Sequence, residues 1–342
     1  MKMSEFTYNL PEERIAKFPP KERGTTKLLV LDREEGSITH RKYSDCVEYM
    51  KEGDVVVLNE TKVEKRRTYF LDSKERIHEV LFLNQQQDGN WFCLIKKSRQ
   101  LNEKDILSNL ICKEIQLQIV KKSEKGVIVR LISNLNPEEV FEKIGHTPIP
   151  PYMKRDDTQE DFERYNTVFG SQFGSVASPT ASLNLTEDLL EKIKKKGVKV
   201  AKVDLKVGWG TFAPVREENI EDHEIHEEEI SLSQLSADII NTTIKNGGDV
   251  WAFGTTVARL LESCATKDGL VRAYSGSTNL YIYPGYEWKI VNHLITNFHM
   301  PDSSLILLVS SFAGTELIKK AYDEALAYEY MFLSYGDSML II

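Results

Sequence analysis

The chain has 342 residues, too many for one domain of about 150, so roughly two domains are expected. Hydrophobic residues make up 41% and charged residues 28%, which supports a packed core and excludes a disordered chain. A formal net charge of -8 excludes a surface that is basic all over, so any polyanion must be met by a local patch.

Three compositional zones follow one another. In residues 1 to about 65, Lys27–Leu31 and Asp54–Leu58 are near-continuous apolar runs, the pattern of short strands covered on both faces. Residues 66–147 are expected to be all-β. Ile77–Leu83, Trp91–Ile95, Ile115–Val120 and Val127–Ile132 are β-prone, with turn signals at Gln87–Asn90 and Ser123–Gly126. A small barrel or sandwich would hold such strands. The proline-rich stretch Thr147–Tyr152 predicts a stiff, extended return.

Residues 148–342 alternate strands and helices. Thr186 caps a helix that acidic residues open, lysines close and Gly197 stops. Further along, Val198–Val203 and Val250–Phe253 read as strands. Gln234–Asn246, Thr255–Ala265 and Glu316–Tyr328 read as helices, and the apolar run Ser304–Ser310 as a buried strand. The simplest architecture is a discontinuous α/β domain, 1–65 plus 148–342, into which a small β-barrel, 66–147, is inserted.

No apolar run approaches the ~20 residues of a membrane span. Glu5, Glu12 and Glu13 stand where a signal peptide would be apolar, so a cytoplasmic chain is expected. Cys46, Cys93, Cys112 and Cys264 are too scattered for a disulfide framework or a cysteine metal site. Basic clusters occur at Lys62, Lys65, Arg66 and Arg67, at Lys96, Lys97 and Arg99, and at Lys192–Lys196. An acidic stretch runs from Glu217 to Glu229. Each could be a solvated face or a patch for a polyanion.

Several segments could carry chemistry. Val250–Arg259 is a strand, a glycine, two threonines and a helix start. Backbone amides at such a helix N-terminus bind anions, Gly254 permits close approach, Thr255 and Thr256 add hydroxyls, and Arg259 could pair with a carboxylate or phosphate. His223, His226 and Glu228 lie close in sequence. They could be acid–base groups, ligands of a non-haem metal, or a polar loop. Thr296, Asn297, Phe298 and His299 form a polar loop in an α/β region. Small-residue loops at Gly174–Ala181 and Val207–Phe212 would let a ligand lie against backbone, with Trp209 as a stacking surface. Asp337, in Ser334–Asp337, is either a base or a turn aspartate.

The stretches YNLPEERIAKFP, KLLVLDREEGSITHRKYSD, GDVVVLNETKV, TPIPPYMKR, RYNTVFG, GSVASPTA, VGWGTF, PVREENIEDHEIHEE, GTTVARLLES, YIYPGY, LITNFHMPDSSLILLVSSFAG and YGDSMLI, in this order, span almost the whole chain. They resemble the S-adenosylmethionine:tRNA ribosyltransferase-isomerase family of queuosine synthesis. The resemblance implies an α/β domain with an inserted β-barrel. It implies S-adenosylmethionine as ribosyl donor and co-substrate, tRNA bearing 7-aminomethyl-7-deazaguanine as acceptor, and no metal. It implies neither a membrane partner nor more than a monomer or weak homo-oligomer. Adenine and methionine would leave, and epoxyqueuosine would form. The sulfonium acidifies the C5′ proton, so such a site needs a base near that carbon.

Residue by residue, the resemblance implies proton work by His223, His226, Glu228 or Asp337. It implies donor binding by Asn59, Thr61, Ser175, Pro179, Thr180, Gly208, Gly210, Gly254, Thr255, Thr256, Arg259, Thr296, Asn297, Phe298, His299 and Tyr335. RNA contacts would fall to Lys62, Lys65, Arg66 and Arg67. The chain departs from the family pattern at Ser182, where glycine is usual, and at Asn184 and Lys206, where histidine is usual. It departs again at Lys27 and Lys62, where arginine is usual, and at Lys65 and Arg66, where Pro-Ala is usual. These changes leave open a relative with another acceptor, or one that binds RNA without catalysis.

Overall fold

A computed structural model describes residues 1–208 and 214–342. The chain forms two compact units. One comprises Met1–Lys62, Pro150–Arg155 and Arg164–Ile342, the other Val63–Ile149 and Asp156–Glu163.

The larger unit is built on a mixed sheet of nine strands among the described residues. Its centre is parallel: Val55–Asn59 lies between Lys199–Leu205 and Val250–Phe253, and His293–Asn297 follows. These strands are apolar on both faces because helices cover both sides. Ser338–Ile341 runs antiparallel to His293–Asn297, then Lys27–Leu31 parallel to it, and Ile38–Lys42 forms one edge. Glu228–Leu232 and Tyr274–Thr278 complete the other edge as antiparallel strands.

Helix signals in this unit act as the sequence suggests. Thr186 accepts a hydrogen bond from the Leu189 amide and opens Glu187–Lys195, while Ser233 caps Gln234–Lys245 in the same way. The run Ser304–Ser310 is a correction: it is a helix, Ser304–Ala313, capped by Ser303. Leu307 and Val309 are fully buried, so the helix is apolar nearly all round and shows no period to separate it from a buried strand.

The smaller unit is a closed barrel of six antiparallel strands. Its order is Val127–Ile132, Trp91–Ile95, Ile77–Gln85, Arg67–Leu71, Ile106–Asn109 and Gln116–Lys122, which pairs back to the first. Phe70, Phe82, Trp91, Leu107, Leu117 and Val129 fill its core. The helix Pro137–Ile144, which the sequence reading missed, adds Val140, Phe141 and Ile144 to that core. Asn136 with Glu139 forms a capping box, and Pro137 occupies the first turn, so the signal was present.

Candidate active site

The four central parallel strands point their C-terminal ends the same way, and three of them end at one cavity of about 270 Å³. Val207 follows the Lys199–Leu205 strand, Gly254, Thr255 and Thr256 follow Val250–Phe253, and Asn297–Met300 follow His293–Asn297. The loop Ser178–Ala181 and residues Tyr152, Leu333 and Ser334 close it. A crevice outside the carboxyl ends of parallel strands is where α/β proteins hold ligands.

Local chemistry explains each wall. Gly254 has φ 109°, a region closed to other residues, and a Cβ there would sit 3.5 Å from the Ala181 Cβ. The chain can therefore turn from strand to helix beside the Ser178–Ala181 loop. The first-turn amides of the helix Thr255–Ser263 have no side-chain cap from Gly254, so this wall offers donors and the positive end of a helix dipole. Thr180 donates to Asn297 Oδ1 at 2.8 Å, and Asn297 Nδ2 donates to the Asp337 carbonyl at 3.3 Å.

His299 lies with Nε2 2.9 Å from Thr296 Oγ1, its amide donates to the Tyr322 hydroxyl, and its carbonyl accepts from Tyr8. Burial pushes its pKa down to about 3, so the imidazole is neutral near pH 7. Tyr152 shares a short hydrogen bond with Ser334, and burial raises its pKa to about 12. No Asp, Glu, Lys or Arg lines the cavity among the described residues. Ser178 Oγ and Thr256 Oγ1, both buried, have no hydrogen-bond partner among them. The site is thus a pocket without acidic or basic side chains among its described lining residues, with hydroxyl groups left for a ligand.

Of the residues singled out in sequence, Pro179, Thr180, Gly254, Thr255, Thr256, Thr296, Asn297, Phe298 and His299 come together here. Others serve the walls. Asn59 bonds the Leu205 amide and carbonyl and the Thr61 amide, tying two strand ends together. Thr61 is buried beside it. Ser175 Oγ donates to the Ala177 carbonyl and accepts from the Val207 amide. Asp337 spends both oxygens on the Lys27 and Met331 amides, each at 2.7 Å, and burial raises its pKa. Tyr335 packs edge-on against Tyr165.

The histidine-rich segment does not gather into one cluster. His223 bonds Glu217 at 2.8 Å, which lowers the Glu217 pKa, and packs against Tyr281. His226 is exposed and has no hydrogen bond among the described residues. Glu228 is buried, forms an ion pair with Arg259, and accepts from the Gly208 amide at 3.1 Å. Arg259 also donates to the Leu280 carbonyl. It therefore holds Glu228, and it is not among the cavity's lining residues. Among the described residues no three His, Cys, Asp or Glu side chains converge to hold a metal ion. Gly210 and Trp209 lie outside the described residues.

The basic cluster is also redistributed. The Arg66 side chain is 12% exposed and pairs with Glu64, and the Arg67 side chain is 9% exposed and bonds the Ile149 carbonyl. Both are structural groups with little surface to offer a phosphate. Lys62 sits over the Phe173 ring and Lys65 over the Phe162 ring, both half-buried. The departures from the family pattern avoid the cavity. Asn184 bonds the Gly336 carbonyl, Lys206 pairs with Glu229, and Ser182 is buried outside the lining. Sequence reasoning missed Tyr152 and Met300 as lining groups, and had Ser178 only as part of the small-residue loop Gly174–Ala181. Tyr152 was in view only as the end of a proline-rich connector.

A mixed α/β unit with a polar cavity at its strand ends, and a barrel inserted in its sequence, is the framework of an enzyme with a small-molecule site. The chain belongs to the family described as queuosine biosynthesis protein, whose model matches residues 3–341. It is 43% identical over 347 residues to the S-adenosylmethionine:tRNA ribosyltransferase-isomerase of Sulfurihydrogenibium sp. (strain YO3AOP1), covering 100% of both chains. It is 44% identical over 344 residues to the protein of that name from Chlorobaculum parvum, again covering 100% of both. The crystal structure of S-adenosylmethionine tRNA ribosyltransferase from Thermotoga maritima is similar, with a TM-score of 0.57 at 31% identity, over 99% of this chain and 100% of that one. Among the described residues no helix is long and apolar enough to cross a membrane.

Proposed function

We infer that this chain is an S-adenosylmethionine:tRNA ribosyltransferase-isomerase, a transferase-isomerase that moves the ribosyl group of S-adenosylmethionine onto tRNA and isomerises it. The acceptor is the aminomethyl nitrogen of 7-aminomethyl-7-deazaguanine in tRNA. Adenine and methionine leave, and the ribosyl carbons stay, rearranged to the epoxyqueuosine side chain, on that nitrogen.

The observation that carries this reading is the family match over residues 3–341. The cavity supplies a second support: it is neutral, and its Ser178 and Thr256 hydroxyls are unpartnered among the described residues. A sulfonium nucleoside brings ribose hydroxyls, a base edge and a cation. Ser178, Thr180, Thr255, Thr256 and Asn297 bond the first two, and no lysine or arginine among the described lining residues repels the third. The methionine carboxylate faces the amides at Thr255 and Thr256. His223, His226 or Glu228 performs the proton transfers, with Arg259 positioning Glu228 and Asp337 shaping the wall behind Asn297. Lys62 and Lys65 meet RNA phosphate. The protein works in the cytoplasm as a monomer or weak homo-oligomer.

One assay tests the reading. The protein is incubated with S-adenosylmethionine and tRNA carrying the aminomethyl-deazaguanine. Adenine release with the matching nucleoside mass shift is expected. Adenine released without that shift refutes the acceptor, and no release refutes the activity. Turnover surviving alanine at each of His223, His226 and Glu228 removes them from proton transfer.

A further inference from the structure

A second concavity lies on the edge strand of the nine-stranded sheet. Its walls are Lys27, His40, Arg41, Lys42, Asp45, Tyr328 and Tyr330. Ile38–Lys42 supplies three of these residues, and the end of the helix Thr315–Ala327 leads into the two tyrosines. In a chain of net charge -8, Lys27, Arg41 and Lys42 all line this concavity, and none forms a salt bridge with a carboxylate among the described residues. Lys27 Nζ donates to the Tyr328 and Glu329 carbonyls, and Arg41 to the His40 carbonyl. These bonds orient the cations without neutralising them. Of the nearby acids, Glu329 pairs with Arg14 and Glu324 faces His40, while Asp45 is the one carboxylate in the lining and is turned back onto the Lys42 amide and the Ser44 hydroxyl.

An aromatic surface accompanies the charge. Tyr328 is 56% exposed, and His40 stacks on one face of its ring at 4.2 Å with an interplanar angle of 23°. The imidazole is itself fixed by Tyr330 at 2.8 Å. A braced, exposed ring beside unpaired cations is the combination that binds unpaired nucleotides: bases stack, and phosphates meet the cations.

Strand register places this pocket relative to the candidate active site within the same unit. Asn297 pairs with Ser338, Ser338 with Leu28, and Leu28 with Arg41. The pocket and the cavity therefore open along one edge of the sheet, three strand spacings or about 15 Å apart. We propose that Lys27, Arg41, Lys42 and Tyr328 form a docking surface for the tRNA backbone and one unstacked base, holding the acceptor while its reactive nucleotide enters the cavity. This rests on the tRNA-modifying reading above and shifts RNA recognition away from Arg66, which pairs with Glu64, and the buried Arg67.

The test uses the full chain with S-adenosylmethionine and precursor tRNA. Binding of labelled tRNA is followed by anisotropy at several salt concentrations, and adenine release gives kcat and KM for each substrate. Arg41→Glu with Lys42→Glu is expected to raise the tRNA Kd and KM at least tenfold. It should leave KM for S-adenosylmethionine and kcat at saturating tRNA unchanged. Loss of two phosphate contacts lowers the slope of log affinity on log salt by roughly 1.4–1.8. Tyr328→Ala should raise the tRNA KM at least fivefold. The milder pair Arg41→Gln and Lys42→Gln guards against misfolding, and Arg41→Lys with Lys42→Arg should retain binding. A tRNA KM within twofold of wild type in the charge-reversed protein overturns the proposal while leaving the enzymatic reading intact. Wild-type protein that neither binds tRNA nor releases adenine overturns both.

Discussion

His299 makes the stability of this protein depend on pH, and replacing it with glutamine measures that share. Burial holds its pKa near 3, whereas histidine in an unfolded chain titrates near 6.5. As pH falls below 6.5, the unfolded chain takes up a proton that the folded one refuses. Stability contributed by the neutral imidazole is therefore complete above 6.5 and is lost progressively as pH approaches 3. At pH 5.0 the unfolded state gains RT ln(1 + 10^1.5), about 2 kcal/mol, and almost nothing at pH 7.5. His299→Gln keeps a side chain able to bond Thr296 Oγ1 but cannot titrate. Urea unfolding of both proteins from pH 7.5 to 5.0 should show wild type losing about 2 kcal/mol more than the variant. Other groups titrate equally in both and cancel. Parallel curves, within about 0.5 kcal/mol throughout, would mean that His299 is not held neutral, and the account of the cavity as charge-free would fail.

Three further outcomes follow from the walls and the barrel. Glu228→Ala leaves Arg259 buried without its carboxylate and should cost about 3–5 kcal/mol in thermal or urea unfolding, whereas Glu228→Met combined with Arg259→Met should come close to wild-type stability. Both proteins should lose adenine release if Glu228 acts on protons, and activity in the double variant would remove that role. Gly254→Ala forces an alanine into φ 109° and should cost about 1–3 kcal/mol while raising KM for S-adenosylmethionine; an unchanged KM would separate Gly254 from the donor site. Asn136→Ala removes the cap of the barrel helix and should lower stability by about 1 kcal/mol without altering kcat/KM, as read by unfolding and by adenine release.

What could be read from the sequence was local. The runs at Lys27–Leu31 and Asp54–Leu58 declared buried strands, the second shifted by one residue to Val55–Asn59, because only a sheet covered on both faces keeps successive residues dry. Thr186 declared a helix start, because its side chain satisfies an amide within three residues; Ser233 does the same for Gln234–Lys245, a cap seen only in the structure. Leu305–Val309 could not declare itself, since burial on all sides erases the period that separates helix from strand. The barrel strand Arg67–Leu71 escaped notice for another reason: it is short and opens on arginine and threonine, and one of its two partners, Ile106–Asn109, lies far along the chain.

The sequence by itself determined which segments are polar, glycine-bearing and able to bond a ligand, and by family resemblance what those segments are for. Tertiary structure alone decided which of them meet. Gly254–Thr256, Asn297–His299 and Ser178–Ala181 share one cavity because parallel strands carry their C-terminal ends to the same edge. Asp337, Asn59 and Ser175 look equally reactive in sequence but are consumed by backbone amides and carbonyls. Whether a polar side chain faces a ligand or its own backbone depends on groups brought near by strand order, which no local pattern encodes.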